Sequence, residues 1–182
     1  MRSREMNIKR PQRQDSSGKQ KSHNKPLILL LSHCLLNQKV RAQGLTSHPE
    51  IKEKLLQLVE KYSIEIEQLP CPEFLLLGER ETKTYDEYSE IPHFKSFCNR
   101  LAEDVAEKLH KFHNCTLLLA GIARSPTCSL SLVYDREKKL KRGRGIFMEF
   151  LQKKLNATSI EIDYDEIENS VKKIEDLIRT IS

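Results

Sequence analysis

The sequence predicts an α/β fold: an open, mostly parallel sheet of about four strands with helices on both faces, Rossmann-like in plan. Three observations carry this expectation. Short apolar runs alternate with longer amphipathic stretches in the order β-α-β-α-β-loop-α-β-α. The first run is apolar throughout, as strands buried on both faces of a parallel sheet are. The first three runs each lead into a turn containing cysteine, with serine or proline beside it. Such turns mark strand ends.

Taken in order, Pro26–Ser32 is the first strand, and Asn37–Ser47, with Gly44, reads as a loop. Ser47–Tyr62 is a helix, with Ser47 as N-cap, Glu50 completing a capping box and Pro49 in the first turn. Its apolar stripe is Ile51, Leu55, Leu58, Val59 and Tyr62. Ile64–Leu69 is the second strand, stopped by Pro70 and Pro72. Leu75–Tyr88 reads as a loop with at most one helical turn, placed to cover a site beside it. Glu90–His113 is the longest helix, and Cys115–Ala120 is the third strand, broken at Gly121. Leu130–Tyr134 is a short strand or loop edge, and Asp135–Arg144 a basic, solvated turn region. A helix at Ile146–Leu155, a fourth strand at Ser159–Tyr164 and a last helix at Asp165–Ile181 complete the chain.

The net charge of +5 is unevenly placed. Residues 1–25 hold eight Lys/Arg against two acidic residues, while the remainder holds 23 against 24. The folded part is near neutral, which argues against a specific nucleic-acid-binding domain. Residues 1–25 read as a disordered basic tail, and residues 26–182 as one domain. No apolar run approaches the roughly 20 residues needed to span a bilayer. No hydrophobic segment of signal-peptide type follows the basic N-terminus. The expected location is the cytoplasm, with no membrane partner.

The five cysteines, Cys34, Cys71, Cys98, Cys115 and Cys128, include no C-x-x-C pair. An odd count without a secretion signal argues against a disulfide framework. Cys98 lies on the apolar stripe of the long helix and Cys115 opens the third strand, so both read as core. Cys34, Cys71 and Cys128 differ: each lies just past the carboxyl end of one of the first three strands, where open α/β sheets bind ligands. Soft thiolates favour iron–sulfur clusters, zinc or copper(I). A four-iron cluster takes four cysteines. With three, one iron lacks a protein thiolate and can take an external ligand, as open metal positions do. Zinc on three cysteines with His33 or His48 is the competing option. His33, however, next to Cys34 in an extended segment, points to the opposite side.

Three blocks occur in order: His33-Cys-Leu-Leu-Asn-Gln-Lys-Val-Arg41 with Gly44, Leu69-Pro-Cys-Pro-Glu73, and Gly121-Ile-Ala-Arg-Ser-Pro-Thr-Cys128. Together they resemble the DUF523 family, which includes the thiouracil desulfidases, and within it their short desulfidase relatives. Gly143-Arg-Gly-Ile-Phe-Met-Glu149 resembles a further block of those relatives. The resemblance spans most of Pro26–Leu155. The chain departs from the family pattern at Ser129, where a glycine is common, and at Asn37 and Gln38, which replace a glycine region. These positions bear on the substrate more than on the cluster.

The resemblance implies a [4Fe-4S] cluster on Cys34, Cys71 and Cys128, with one open iron. It also implies removal of sulfur, as hydrosulfide and without net redox change, from a thiolated small molecule such as a thiouracil. Ser125 matches the serine of the family's Ser-Pro-Ser/Thr-Cys block, as a proton relay or substrate-binding group. Glu73, in the Cys-Pro-Glu block, and Glu67, near the end of the second strand, are the acid/base candidates. Glu73 has a structural alternative in capping a helix or bonding the turn, and Ser125 in capping its own turn. Arg41 and Arg124 either bind substrate or pair with carboxylates near the site. The competing function is a non-catalytic iron–sulfur or zinc-binding protein in sulfur or metal handling.

Overall fold

The computed structural model describes residues 25–181. The tail expected at residues 1–25 lies outside them except for Lys25. The sheet has four parallel strands in the order β2-β1-β3-β6. These are β1 (Leu27–Leu31), β2 (Glu65–Gln68), β3 (Thr116–Ile122) and β6 (Thr158–Ile162). An antiparallel hairpin, β4 (Leu132–Tyr134) with β5 (Leu140–Arg142), stands apart. It forms where the sequence reads as a solvated basic turn, because Asp135 and Lys139 close its tip through a backbone bond of 2.9 Å.

β1 is buried at every residue and pairs with β2 on one side and β3 on the other. Each such leucine or isoleucine contributes about 1.5–3 kcal/mol by leaving water. Helix α2 (Pro49–Tyr62) joins β1 to β2 and packs against α7 (Ile167–Ile181). Helix α5 (Phe94–His110) leads back to β3 and packs against α6 (Ile146–Lys154). Right-handed crossovers put these two helix pairs on opposite faces. The connection from β1 leaves leftward to β2, whereas that from β3 leaves rightward to β6. The crevice between the carboxyl ends of β1 and β3 is therefore the topological switch point of the sheet.

Several element boundaries differ from expectation. The N-cap of α2 is His48, without a side-chain cap, and Glu50 turns back to His48 instead of forming a capping box with Ser47. The segment from Leu75 to Tyr88 is a loop at residues 78–84 and carries helix at both ends instead of a single turn. It is flanked by α3 (Pro72–Leu77), with Pro72 in its first turn, and α4 (Tyr85–Glu90), with a Thr84/Glu87 capping box. The long helix starts at Phe94 instead of Glu90, because Pro92 forces Ile91 into an extended conformation. β3 runs through Gly121 to Ile122 without a break. After β1, His33–Leu36 is a helical turn, α1, not an extended segment, and a 3₁₀ turn follows at Gln38–Val40.

Candidate functional site

Cys128 sits on a loop that returns from β3 to the switch point. The loop is held mostly by backbone. The Ile122 N–H donates to the Cys128 carbonyl at 2.8 Å, and Ser129 N–H to the Ser125 carbonyl at 3.2 Å. From the other side, the start of α6 grips the loop: Ile146 N–H reaches the Pro126 carbonyl at 3.0 Å, and Phe147 and Met148 N–H both reach that of Thr127 at 3.1 Å. Two glycines allow this closeness. A Cβ at Gly121 would lie 2.6 Å from the Cys128 carbonyl oxygen, and one at Gly145 only 2.3 Å from the Thr127 carbonyl carbon. Hence Gly121 is not a strand break but the place where the loop folds onto β3, and the Gly143-Arg-Gly145 block is the counterpart on α6.

Cys71 precedes α3, and Glu73 in that helix's first turn is buried at 8% exposure. Arg80 donates to Glu73 Oε2 from Nε at 3.0 Å and from Nη2, Tyr88 donates to the same oxygen at 2.9 Å, and Thr127 donates to Oε1 at 2.6 Å. Glu73 thus ties together the Cys71 turn, the segment after it and the Cys128 loop. Arg80 Nη2 also lies 4.0 Å from Cys71 Sγ, and Thr127 Oγ1 3.6 Å from Cys128 Sγ. The segment expected to cover the site contributes Arg80 and Tyr88 in this way.

Cys34 stands in α1, and its surroundings are side chains. Gln38 donates to the Cys34 carbonyl at 2.8 Å, and its own side-chain oxygen accepts from Arg41 and from His48 N–H, both at 3.2 Å. Tyr164, just past β6, brings its hydroxyl to 3.6 Å from Cys34 Sγ. Arg41 lies over the Tyr164 ring at 4.1 Å, and His48 stacks on it at 5.2 Å. His33 Nδ1 donates to the Leu69 carbonyl at 3.2 Å, so that ring is tied to the end of β2.

Burial pushes the Cys34 thiol up to about 11, with the charge of Cys71 adding and the Tyr164 hydrogen bond opposing. Burial also raises Cys71, and raises Cys128 strongly with help from the charges of Cys34 and Cys71. Thiols so placed, Cys128 buried and Cys34 and Cys71 half-buried, resist ionisation alone and suit a cationic, thiolate-preferring centre. The donors at Tyr164, Arg80 and Thr127 are placed to support sulfurs carrying negative charge. This donor set fits an iron–sulfur cluster. Among the described residues no group of three or more His, Cys, Asp or Glu side chains is placed to hold a metal ion. A zinc site, which needs four donors within about 2.0–2.3 Å of one ion, accordingly finds no support. Cys98 is fully buried in the core, while Cys115 is half-buried beside it.

The remaining candidates occupy distinct positions. Ser125 Oγ accepts the N–H groups of Cys128 at 3.0 Å and Thr127 at 3.4 Å, capping the loop. Arg124, in a left-handed backbone conformation with φ 63°, is bound by Asp163 at 2.7 and 2.6 Å and by Asp165 at 2.6 Å. Glu67 pairs with Lys108 in a cleft of about 350 Å³ lined also by His33 and Leu69, and by none of the three thiols. Arg80, Tyr88, Thr127 and Tyr164 are the polar residues of the site that sequence reasoning missed, and Gln38, read from sequence as bearing on the substrate, braces the Cys34 turn. Thr127 lay inside a motif, and the Thr84-Tyr-Asp-Glu87 capping pattern marked the helix that carries Tyr88. Nothing local to Tyr164 marked it.

The sequence pattern of a family described as 2-thiouracil desulfurase matches residues 29–163. An uncharacterised protein of Methanocaldococcus jannaschii is 29% identical over 157 residues, covering 85% of this chain and 94% of that protein. Among solved structures, a [4Fe-4S]-dependent thiouracil desulfidase, TudS, is similar with a TM-score of 0.49 and 17% identity, covering 82% of this chain and 98% of that one.

Proposed function

The chain belongs to the 2-thiouracil desulfurase family, and from that premise we propose that it removes sulfur from a thiouracil-like small molecule at a [4Fe-4S] cluster held by Cys34, Cys71 and Cys128. The observation that supports this reading is that the three cysteines follow the carboxyl ends of β1, β2 and β3 on one edge of the sheet, Cys128 buried and Cys34 and Cys71 half-buried, each thiol near a polar donor. A cluster bound there would supply one iron without a protein thiolate, a Lewis-acidic position for the leaving sulfur. The net change is balanced: water and a thiocarbonyl give a carbonyl, hydrosulfide and a proton.

The chain's own groups then divide the work. Ser125 Oγ accepts two backbone N–H groups, so its own proton is free to meet the substrate. Glu73 is fully engaged by Arg80, Tyr88 and Thr127 and holds the walls in place. Glu67, paired with Lys108 in a cleft that none of the three thiols lines, stands apart from this set. Arg41 keeps Nη2 for a substrate oxygen, since its described bonds run from Nη1. Arg124, bound at both terminal nitrogens, holds the end of β6.

The test is anaerobic purification, iron and sulfide analysis, and a sulfide-release assay with 2-thiouracil and related thioamides. The expected result is a brown protein that releases sulfide. A protein without iron would refute the cluster reading. An intact cluster with no release from any thiocarbonyl would leave the non-catalytic, cluster-binding reading.

A further inference from the structure

We propose that Tyr164 is a positioning residue of the cluster site: its hydroxyl donates to the Cys34 sulfur and draws electron density from it. The inference rests on the cluster reading above and deepens it. The geometry singles out this tyrosine. It arrives from β6, the one strand of the sheet that contributes no thiol. Its hydroxyl lies 3.6 Å from Cys34 Sγ and 3.5 Å from the Cys34 carbonyl oxygen. At 3.5 Å the carbonyl lies beyond the ordinary range of an O–H···O bond, whereas 3.6 Å is an ordinary separation for the larger sulfur, which favours the sulfur for the tyrosine's proton. An ionised sulfur is the stronger acceptor still, because a charge-assisted bond is about twice as strong as a neutral one.

The ring is also held in place. Arg41 lies over it at 4.1 Å and His48 stacks on it at 5.2 Å. Both are themselves tied to the Gln38 side-chain oxygen at 3.2 Å. Gln38 therefore fixes the Cys34 carbonyl, the arginine and the start of α2 together, and these fix the phenol. Gln38 alone supplies this bracket. A hydrogen bond to a ligating sulfur is one of the levers by which a protein sets cluster potential. Withdrawal of charge through Cys34 would raise the potential and make an open iron a better acceptor for sulfur.

The experiment compares the cluster potential of the anaerobically loaded parent, Tyr164→Phe, and a protein with 3-fluorotyrosine at position 164. Fluorination strengthens the phenol as a donor with little change in shape. The expected order is Tyr164→Phe lowest, parent between and fluorotyrosine highest, with equal iron content. Tyr62→Phe, on α2 and bonded to Glu175 and Arg179, should not shift the potential. Equal potentials in all three proteins would overturn the inference. If Tyr164→Phe fails to fold, the fluorotyrosine protein decides alone: a raised potential supports the role and an unchanged one refutes it. A parent that binds no iron refutes the cluster reading itself, a result distinct from either.

Discussion

The Cys128 loop and the Cys34 turn deliver equivalent thiols to one crevice by opposite means. Around Cys128 the contacts are mostly backbone to backbone, drawn tight by Gly121 and Gly145 and by the first N–H groups of α6, with the Ser125 and Thr127 hydroxyls added. Around Cys34 they are side-chain contacts, from Gln38, Arg41, His48 and Tyr164. A backbone cradle tolerates few changes in shape but leaves the neighbouring side chains free to vary. A side-chain cradle can be retuned one residue at a time without moving the chain. The first suits a fixed anchor, the second a sulfur whose electronic properties are adjusted.

Replacing the cysteines tests whether these are two halves of one site. Cys34→Ser, Cys71→Ser and Cys128→Ser should each abolish iron binding, measured by metal analysis and visible absorption. Cys98→Ala and Cys115→Ala should retain it. Iron lost on replacing Cys98 would instead point to a four-cysteine site without an open iron. Next in size is the hub that joins the Cys71 turn to the Cys128 loop. Glu73→Ala leaves Arg80, itself at 9% exposure, as an uncompensated buried charge. It should cost about 3–5 kcal/mol in denaturant unfolding. Glu67→Ala, whose Lys108 partner is exposed, should cost about 0–1 kcal/mol. Similar losses at the two positions would break the distinction between a buried carboxylate that holds the walls and one paired at the surface.

The cradles themselves should respond unequally. Gly145→Ala forces a methyl into the Thr127–Cys128 backbone and should lower stability by about 1–3 kcal/mol, with weaker iron retention. Gln38→Ala removes a side-chain bracket at the half-buried Cys34 turn and should cost about 0.5–1.5 kcal/mol, leaving iron content unchanged. Thermal unfolding with parallel iron analysis measures both. Equal loss of iron in the two variants would erase the contrast between backbone and side-chain support.

The fold was legible because parallel strands advertise themselves. Leu27–Leu31 is apolar at every position, and the stripes of α2, α5 and α7 recur at helical spacing. The placement of Cys34, Cys71 and Cys128 past strand ends followed from that topology alone. What escaped was set by tertiary contact. Gly121 looks like a breaker in sequence, and only the returning Cys128 carbonyl explains it. Arg80 and Tyr88 sit in a polar stretch whose purpose appears once Glu73 is buried beside them. Tyr164 reaches Cys34 across the sheet edge from 130 residues away in the chain. The hairpin from Leu132 to Arg142 lacks an alternating apolar face, so no period announced it.

The grip of α6 on the Cys128 loop has a consequence for the order of synthesis. The loop carbonyls at Pro126 and Thr127 find their partners only at Ile146, Phe147 and Met148. Cys34 and Cys71 leave the ribosome well before those residues and wait for long-range pairing, the slow part of folding such sheets. A cluster offered to the growing chain would meet two thiols without the third. Loading should therefore follow release of the C-terminal half, and a pulse-labelled, stalled chain ending before α6 should take up no iron.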